Sequence, residues 1–148
     1  LIADEPTTAL DVTIAAQVLK LMKEIQQETN SSIILITHDL ATVAQICSRV
    51  VVMYAGRIVE TAPIKTFFKK PAHPYSMGLI LSVPVLGRPV GRLASISGQP
   101  PSLFAMPRGC RFAPRCDKAE KRCLKVYPPE ARLEEDHRVA CWLYSDAA

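Results

Sequence analysis

Leu1-Ile2-Ala3-Asp4-Glu5-Pro6, then Ala9-Leu10-Asp11, and further on Ser32-Ile33-Ile34-Leu35-Ile36-Thr37-His38-Asp39 decide how this chain folds. Two of these stretches are short apolar runs that end in ionisable side chains. That is the pattern of a buried parallel strand delivering chemistry to the loop beyond its C-terminal end. Between them Ile14, Val18, Leu19, Met22 and Ile25 recur at helical spacing, with Lys20, Lys23, Glu24 and Glu28 mostly off the stripe. The spacing predicts an amphipathic helix of about four turns, closed by the turn cluster Thr29-Asn30-Ser31-Ser32. Residues 33–36 are apolar on both faces and read as a central strand. Leu40, Val43, Ala44 and Cys47 mark one side of a second helix, with Cys47 a small buried hydrophobe. Strand, helix, strand, helix in this order specifies an α/β sheet with crossover helices.

Working outward, residues 49–54 and 57–61 are strand-like and separated by Ala55-Gly56, which predicts a hairpin. A short helix over 64–70 is expected to break at Pro71-Ala72-His73-Pro74-Tyr75 and to restart over 76–81. Residues 85–107 are rich in Gly, Pro and Ser and read as an irregular surface segment. Composition changes near Pro63. Residues 1–62 carry four Lys/Arg against seven Asp/Glu, whereas 63–148 carry fourteen against seven and hold eleven of the twelve prolines. Two parts follow: 1–62, and an extension, 63–148. No apolar run is long enough to cross a bilayer, and no secretory signal is recognisable.

The chemistry starts with the acidic pair. A carboxylate engaged with a cation is a poor base, so hydrolysis of a nucleotide phosphate calls for two groups, one for Mg²⁺ and one for water. Asp4 and Glu5 supply such a pair, and His38 arrives at the same kind of strand end. This ordered set resembles the Walker B, D-loop and switch-histidine series of ABC-type ATPases, a partial P-loop NTPase sheet. The resemblance implies that Asp4 holds Mg²⁺ beside ATP, Glu5 orients and deprotonates the attacking water, and His38 senses the γ-phosphate. Asp11 would lie along the dimer interface, or simply cap the helix it precedes. No G-x-x-x-x-G-K-[ST] phosphate loop occurs and residue 1 is Leu. The expectation is therefore a C-terminal fragment starting at Walker B, inactive by itself, with unpaired sheet edges that favour association.

Four of five cysteines, Cys110, Cys116, Cys123 and Cys141, fall in the last 39 residues with spacing C-x5-C-x6-C-x17-C. Four thiolates can close a Zn²⁺ site or hold an iron–sulfur cluster. Free thiols and disulfides remain open alternatives. Arg108, Arg111, Arg115, Lys118, Lys121, Arg122 and Lys125 surround the first three cysteines against Asp117 and Glu120. That excess is expected to lower thiol pKa values and favour an anionic centre. His137 could replace a ligand but reads as an exposed residue in an acidic stretch.

His73-Pro74-Tyr75 and Gly109-Cys110-Arg111-Phe112-Ala113-Pro114-Arg115-Cys116 resemble the C-terminal extension of oligopeptide, dipeptide and nickel importer ATP-binding subunits. The resemblance implies a small, irregular, Cys-rich extension whose four cysteines ligate a [4Fe-4S] cluster, with Zn²⁺ the alternative. It further implies membrane permease subunits, a second ATP-binding subunit and, indirectly, an extracytoplasmic peptide-binding protein as partners. The expected location is peripheral, at the cytoplasmic face of the membrane. A regulatory cluster-binding module without catalysis is the competing function. Phe104, Phe112, Tyr127, Trp142 and Tyr144 accompany the basic tail but form no recognised stacking module, so nucleic acid is not an expected partner.

Overall fold

A computed structural model describes residues 1–83 and 95–145. The chain divides into two compact units, Leu1–Ser48 and Arg49–Ala148. Both mix helices with strands, and there are two sheets among the described residues.

In the first unit β1 (Ile2–Asp4) pairs in parallel with β2 (Ile34–Ile36), matching Ile2 to Ile34 and Asp4 to Ile36. Helix α1 (Val12–Thr29) is the crossover, and α2 (Leu40–Ile46) follows β2. Asp11 starts α1 by accepting the N–H groups of Thr13 and Ile14, both at 2.9 Å, and Asn30 ends it in the left-handed region at φ 49°. Of the stripe read from sequence, Leu19 and Met22 are buried, while Ile14 and Ile25 stay exposed. Residues 33–36 were expected to be covered on both faces. Instead Ile34 and Ile36 are exposed, since no other strand or helix covers that face among the described residues. In α2 Val43 is buried together with Thr42, whereas Ala44 is exposed and Cys47 is half-buried.

The second unit is built on a four-stranded antiparallel sheet of order β3-β4-β6-β5. Strands β3 (Arg49–Tyr54) and β4 (Arg57–Pro63) form the expected hairpin, turning through Ala55 at φ 47° and Gly56 at φ 80°. The register shifts between Val52 and Met53. The bulge sends consecutive residues Val59 and Glu60 both inward. Strands β5 (Glu130–Glu134) and β6 (His137–Ala140) form a second hairpin that the sequence pattern did not disclose, and β6 pairs with β4 through Glu60 and Thr61. The compositional change at Pro63 thus lies inside this unit, at the end of a strand.

Helix α3 (Ile64–Lys69) appears as expected. Helix α4 (Pro74–Leu81) begins earlier than expected, because Pro74 occupies the first turn, where it costs no hydrogen bond, and His73 caps it. Residues 95–107 hold no helix or strand, and the rest of the irregular segment, 84–94, lies outside the described residues. The tail adds a 3₁₀ turn (Ala113–Arg115), α5 (Lys121–Lys125) and α6 (Trp142–Ser145). Tyr54, Tyr75 and Phe112 meet with ring centroids 4.7–5.4 Å apart and join the β3–β4 hairpin to the cysteine-bearing loop.

Candidate functional site

The first unit brings Glu5 and His38 together. Glu5 follows the last residue of β1, and its N–H donates to the carbonyl of Ile36, the last residue of β2, at 2.8 Å. Its backbone takes φ 47°, an uncommon conformation for a non-glycine residue. The carboxylate meets His38 Nδ1 at 2.7 Å through Oε1 and accepts the Thr8 hydroxyl at 2.7 Å through Oε2. Thr8 first and His38 second hold Glu5 below the usual carboxylate range. The Glu5 hydrogen bond, and then its charge, raise His38. The result is an exposed carboxylate–imidazole pair at the C-terminal edge of two parallel strands. Thr8 was not recognised from sequence as a partner of Glu5.

Asp4 stands exposed at the end of β1, with no side-chain hydrogen bond among the described residues. Its oxygens remain available to a cation. Asp11 lies at the start of α1 and spends its carboxylate on the helix N-terminus. Asp39 does the same for α2, accepting from Ala41 and Thr42 and from the Thr42 hydroxyl.

In the second unit Cys110, Cys116, Cys123 and Cys141 line one cavity together with His73 and Phe112. All four thiols are free. Glu120 N–H donates to the Cys123 sulfur at 3.4 Å, and the backbone N–H groups of Phe112 and Ala113 near Cys110, of Lys118 near Cys116 and of Leu143 near Cys141 act to lower those thiols' pKa values. Such donors favour the thiolate form. Burial nevertheless outweighs them, raising Cys110 and Cys116 and taking Cys141 to about 11.

The expectation that neighbouring cations lower these pKa values is therefore corrected. Arg111 donates to the Ala55 carbonyl, Arg115 to the Tyr54 hydroxyl and to the carbonyls of Ile96 and Ser97, and Arg122 to the Trp142 carbonyl. These guanidinium groups tie the loop to its surroundings. Gly109 permits the closest approach: Cys110 N–H donates to the Cys123 carbonyl at 2.7 Å, and a Cβ on Gly109 would lie 2.2 Å from that oxygen.

Among the described residues, no three Cys, His, Asp or Glu side chains are grouped to share one metal ion. Thiolates on a single zinc stand about 3.8 Å apart, from the Zn–S bond length and tetrahedral geometry. Four free thiols line one cavity, and Cys110, Cys116, Cys123 and Cys141 are the residues that would hold a thiolate-ligated group there.

Beneath the cavity lies a network that sequence reasoning missed. Glu60 is buried on β4. Its Oε1 accepts Ala72 N–H at 2.9 Å and meets His137 Nε2 at 2.8 Å, and its Oε2 accepts His73 N–H at 2.8 Å. His137 is 3% exposed, which corrects its reading as a surface residue. His73 Nδ1 accepts Tyr75 N–H at 3.0 Å, and burial lowers its pKa to about 4, so the ring is neutral near pH 7. The signals available were the acid Glu60 within an apolar strand and the His-Pro-Tyr triplet.

No helix among the described residues is long and apolar enough to cross a membrane. The family profile described as "Oligopeptide/dipeptide transporter, C-terminal region" matches residues 59–123. The chain is 53% identical over 148 residues to the dipeptide transport ATP-binding protein DppD of Bacillus subtilis, covering 100% of this chain and 44% of that protein. It is 49% identical over 146 residues to the oligopeptide transport ATP-binding protein AppD of the same organism, covering 99% and 44%. It is 46% identical over 146 residues to the oligopeptide transport ATP-binding protein OppD of Haemophilus influenzae, covering 99% and 45%. The chain thus spans about half the length of these relatives. The similarity to these ATP-binding proteins runs along the whole chain, and the profile match takes in three of the four clustered cysteines.

Proposed function

We propose that this chain is part of an ATP-hydrolysing subunit that energises peptide import through a membrane permease. The observation that carries this reading is the 2.7 Å contact between Glu5 and His38 at the ends of two parallel strands. There an attacking water and a terminal phosphate oxygen can be served from one edge. In this reading Glu5 orients and deprotonates water, and His38 contacts the γ-phosphate. Asp4 would hold Mg²⁺, whose charge offsets that developing on the phosphate oxygens. Asp11 shapes the loop that faces a second ATP-binding subunit. Residues 1–62 belong to the nucleotide-binding part and 63–148 to the importer extension. The subunit would work at the cytoplasmic face of the membrane, bound to permease subunits that receive peptide from an extracytoplasmic binding protein. The isolated 148-residue chain is expected neither to bind ATP tightly nor to turn it over, because it lacks a phosphate-cradling loop.

The test uses the full-length protein that carries this chain. Glu5→Gln should keep ATP binding and lower kcat by about 10²–10⁴, the usual contribution of a general base. Unchanged turnover in Glu5→Gln would remove Glu5 from the chemistry, and with it the reading of this edge.

The cysteine cavity supports a second component, a [4Fe-4S] cluster ligated by Cys110, Cys116, Cys123 and Cys141. When bound, such a cluster supplies a redox-active anionic centre; the chain supplies thiolates, N–H donors and a largely apolar wall. Burial raises the pKa of Cys110, Cys116 and Cys141, so loading requires proton release from these thiols, as in other thiolate sites. Iron and acid-labile sulfide analysis of anaerobically purified protein tests this. Stoichiometric zinc without iron would replace the cluster, and a metal-free, sulfide-free protein would leave a purely structural thiol pocket. Each compact unit holds one site, which keeps open a regulatory role for the second that needs no catalysis.

A further inference from the structure

Among the described residues Thr8 and His38 are the side chains that bond to the Glu5 carboxylate. The Thr8 contact is built locally. Glu5-Pro6-Thr7-Thr8 forms a tight turn in which Thr8 N–H donates to the Glu5 carbonyl at 3.1 Å. Pro6 takes the second place of that turn, where its fixed φ is preferred. The turn folds Thr8 back toward Glu5, and its hydroxyl donates to Oε2 at 2.7 Å. The two residues are thus tied through the backbone and again through the side chains. Glu5 is also held at φ 47°, a conformation that a non-glycine residue keeps only where its surroundings fix it.

The hydroxyl bond is not needed to start the helix, because Asp11 caps α1. It is exposed, so it competes with water and adds little to stability. Its consequence is geometric. A glutamate side chain is long and flexible, and a single contact leaves its carboxylate free to rotate. With Thr8 on Oε2 and His38 on Oε1, the plane of the carboxylate is set. Each oxygen keeps another lone pair, so a water can be engaged without breaking either bond.

We propose that Thr8 is a positioning residue for ATP hydrolysis, its hydroxyl fixing the direction in which Glu5 presents its carboxylate to the attacking water. The inference rests on the reading of Glu5 as the general base. Thr8 touches neither the water nor the nucleotide in this role, so it acts on turnover and not on ATP affinity. A base held slightly off line loses rate steeply.

Steady-state ATP hydrolysis is measured on the full-length protein that carries this chain. Glu5→Gln comes first: unchanged turnover there defeats the reading of Glu5, and this inference with it. With Glu5 established, Thr8→Val removes the hydroxyl and keeps the branched shape, whereas Thr8→Ser keeps the hydroxyl. The expected result for T8V is a loss of about tenfold in kcat, with KM for ATP and Tm as in the wild type. Thr8→Ser should recover the turnover. In the Glu5→Gln background, followed with radiolabelled ATP, T8V should change the rate by less than about twofold, because the group it positions is already disabled. Wild-type kcat in T8V would overturn the proposal while leaving Glu5 in place. So would an equal loss in T8S, or a further loss of the same size when T8V is added to Glu5→Gln. Thr8→Ala is the second hydroxyl-free variant if Thr8→Val does not fold, and wild-type turnover in T8A counts equally against the proposal.

Discussion

Glu5 and His38 each change the other's proton affinity, and the signs fix a pH window. Glu5 is depressed from an ordinary 4.5, so its contribution to stability is present above that value and fades as pH falls through the lowered pKa. His38 is raised from 6.5, so its contribution is complete below that value and fades as pH rises through the elevated pKa. The pair should be tightest between about 4.5 and 6.5 and loosen on either side. Titration of His38 by NMR should give a midpoint above that of a free imidazole, and Glu5→Gln should bring it down. Glu60 makes the opposite kind of contact, buried and fully partnered. Glu60→Ala would strand two backbone N–H groups and His137 in the interior, and should cost about 3–5 kcal/mol in denaturant unfolding. The difference in exposure explains why one pair was legible in the sequence and the other was not. Glu5 and His38 each follow an apolar run, so their strand-end positions could be read directly. Glu60 and His137 lie 77 positions apart and meet only because a bulge turns Glu60 inward.

Elements were legible where period and punctuation agreed. Helix α1 has its stripe and its Asp11 cap, and the β3–β4 hairpin has Ala55-Gly56. Strand β5 was hidden because its sequence, Glu-Ala-Arg-Leu-Glu, is mostly exposed and lacks the apolar alternation that marks a half-buried strand. Its partner β6 holds His137 and Arg138 within only four residues, and its burial comes from β4 rather than from local pattern. The convergence of four cysteines could be anticipated, but the glycine that lets two of them close could not. Gly109→Ala drives a methyl group into the Cys123 carbonyl. Relief requires the Cys110 loop and α5 to separate, at a cost of about 1–3 kcal/mol. The expected readout is faster labelling of the cavity thiols by a maleimide in the metal-free full-length protein, at unchanged helix content.

At the scale of the whole molecule, the first unit leaves Leu1, Ile2, Ile14, Ile25, Ile34 and Ile36 exposed around a two-stranded sheet. Such a surface favours self-association. The isolated 148-residue chain should sediment as concentration-dependent oligomers, and polar replacements at Ile34 and Ile36 should shift it toward monomer. A stable, monodisperse monomer at all concentrations would show that this face needs no cover.

The strand order of the second unit carries a consequence for biosynthesis. Strand β6 is inserted between β4 and β5, so Glu60 waits for Val139, and Thr61 for Arg138, before the central ladder can close. While the ribosome makes the intervening stretch, the β3–β4 hairpin has one naked edge and a buried-type acid with nowhere to go. Strand β6, made long after β4, acts as a keystone. Release of the nascent polypeptide short of His137 would leave a product that chaperones must hold or proteases remove.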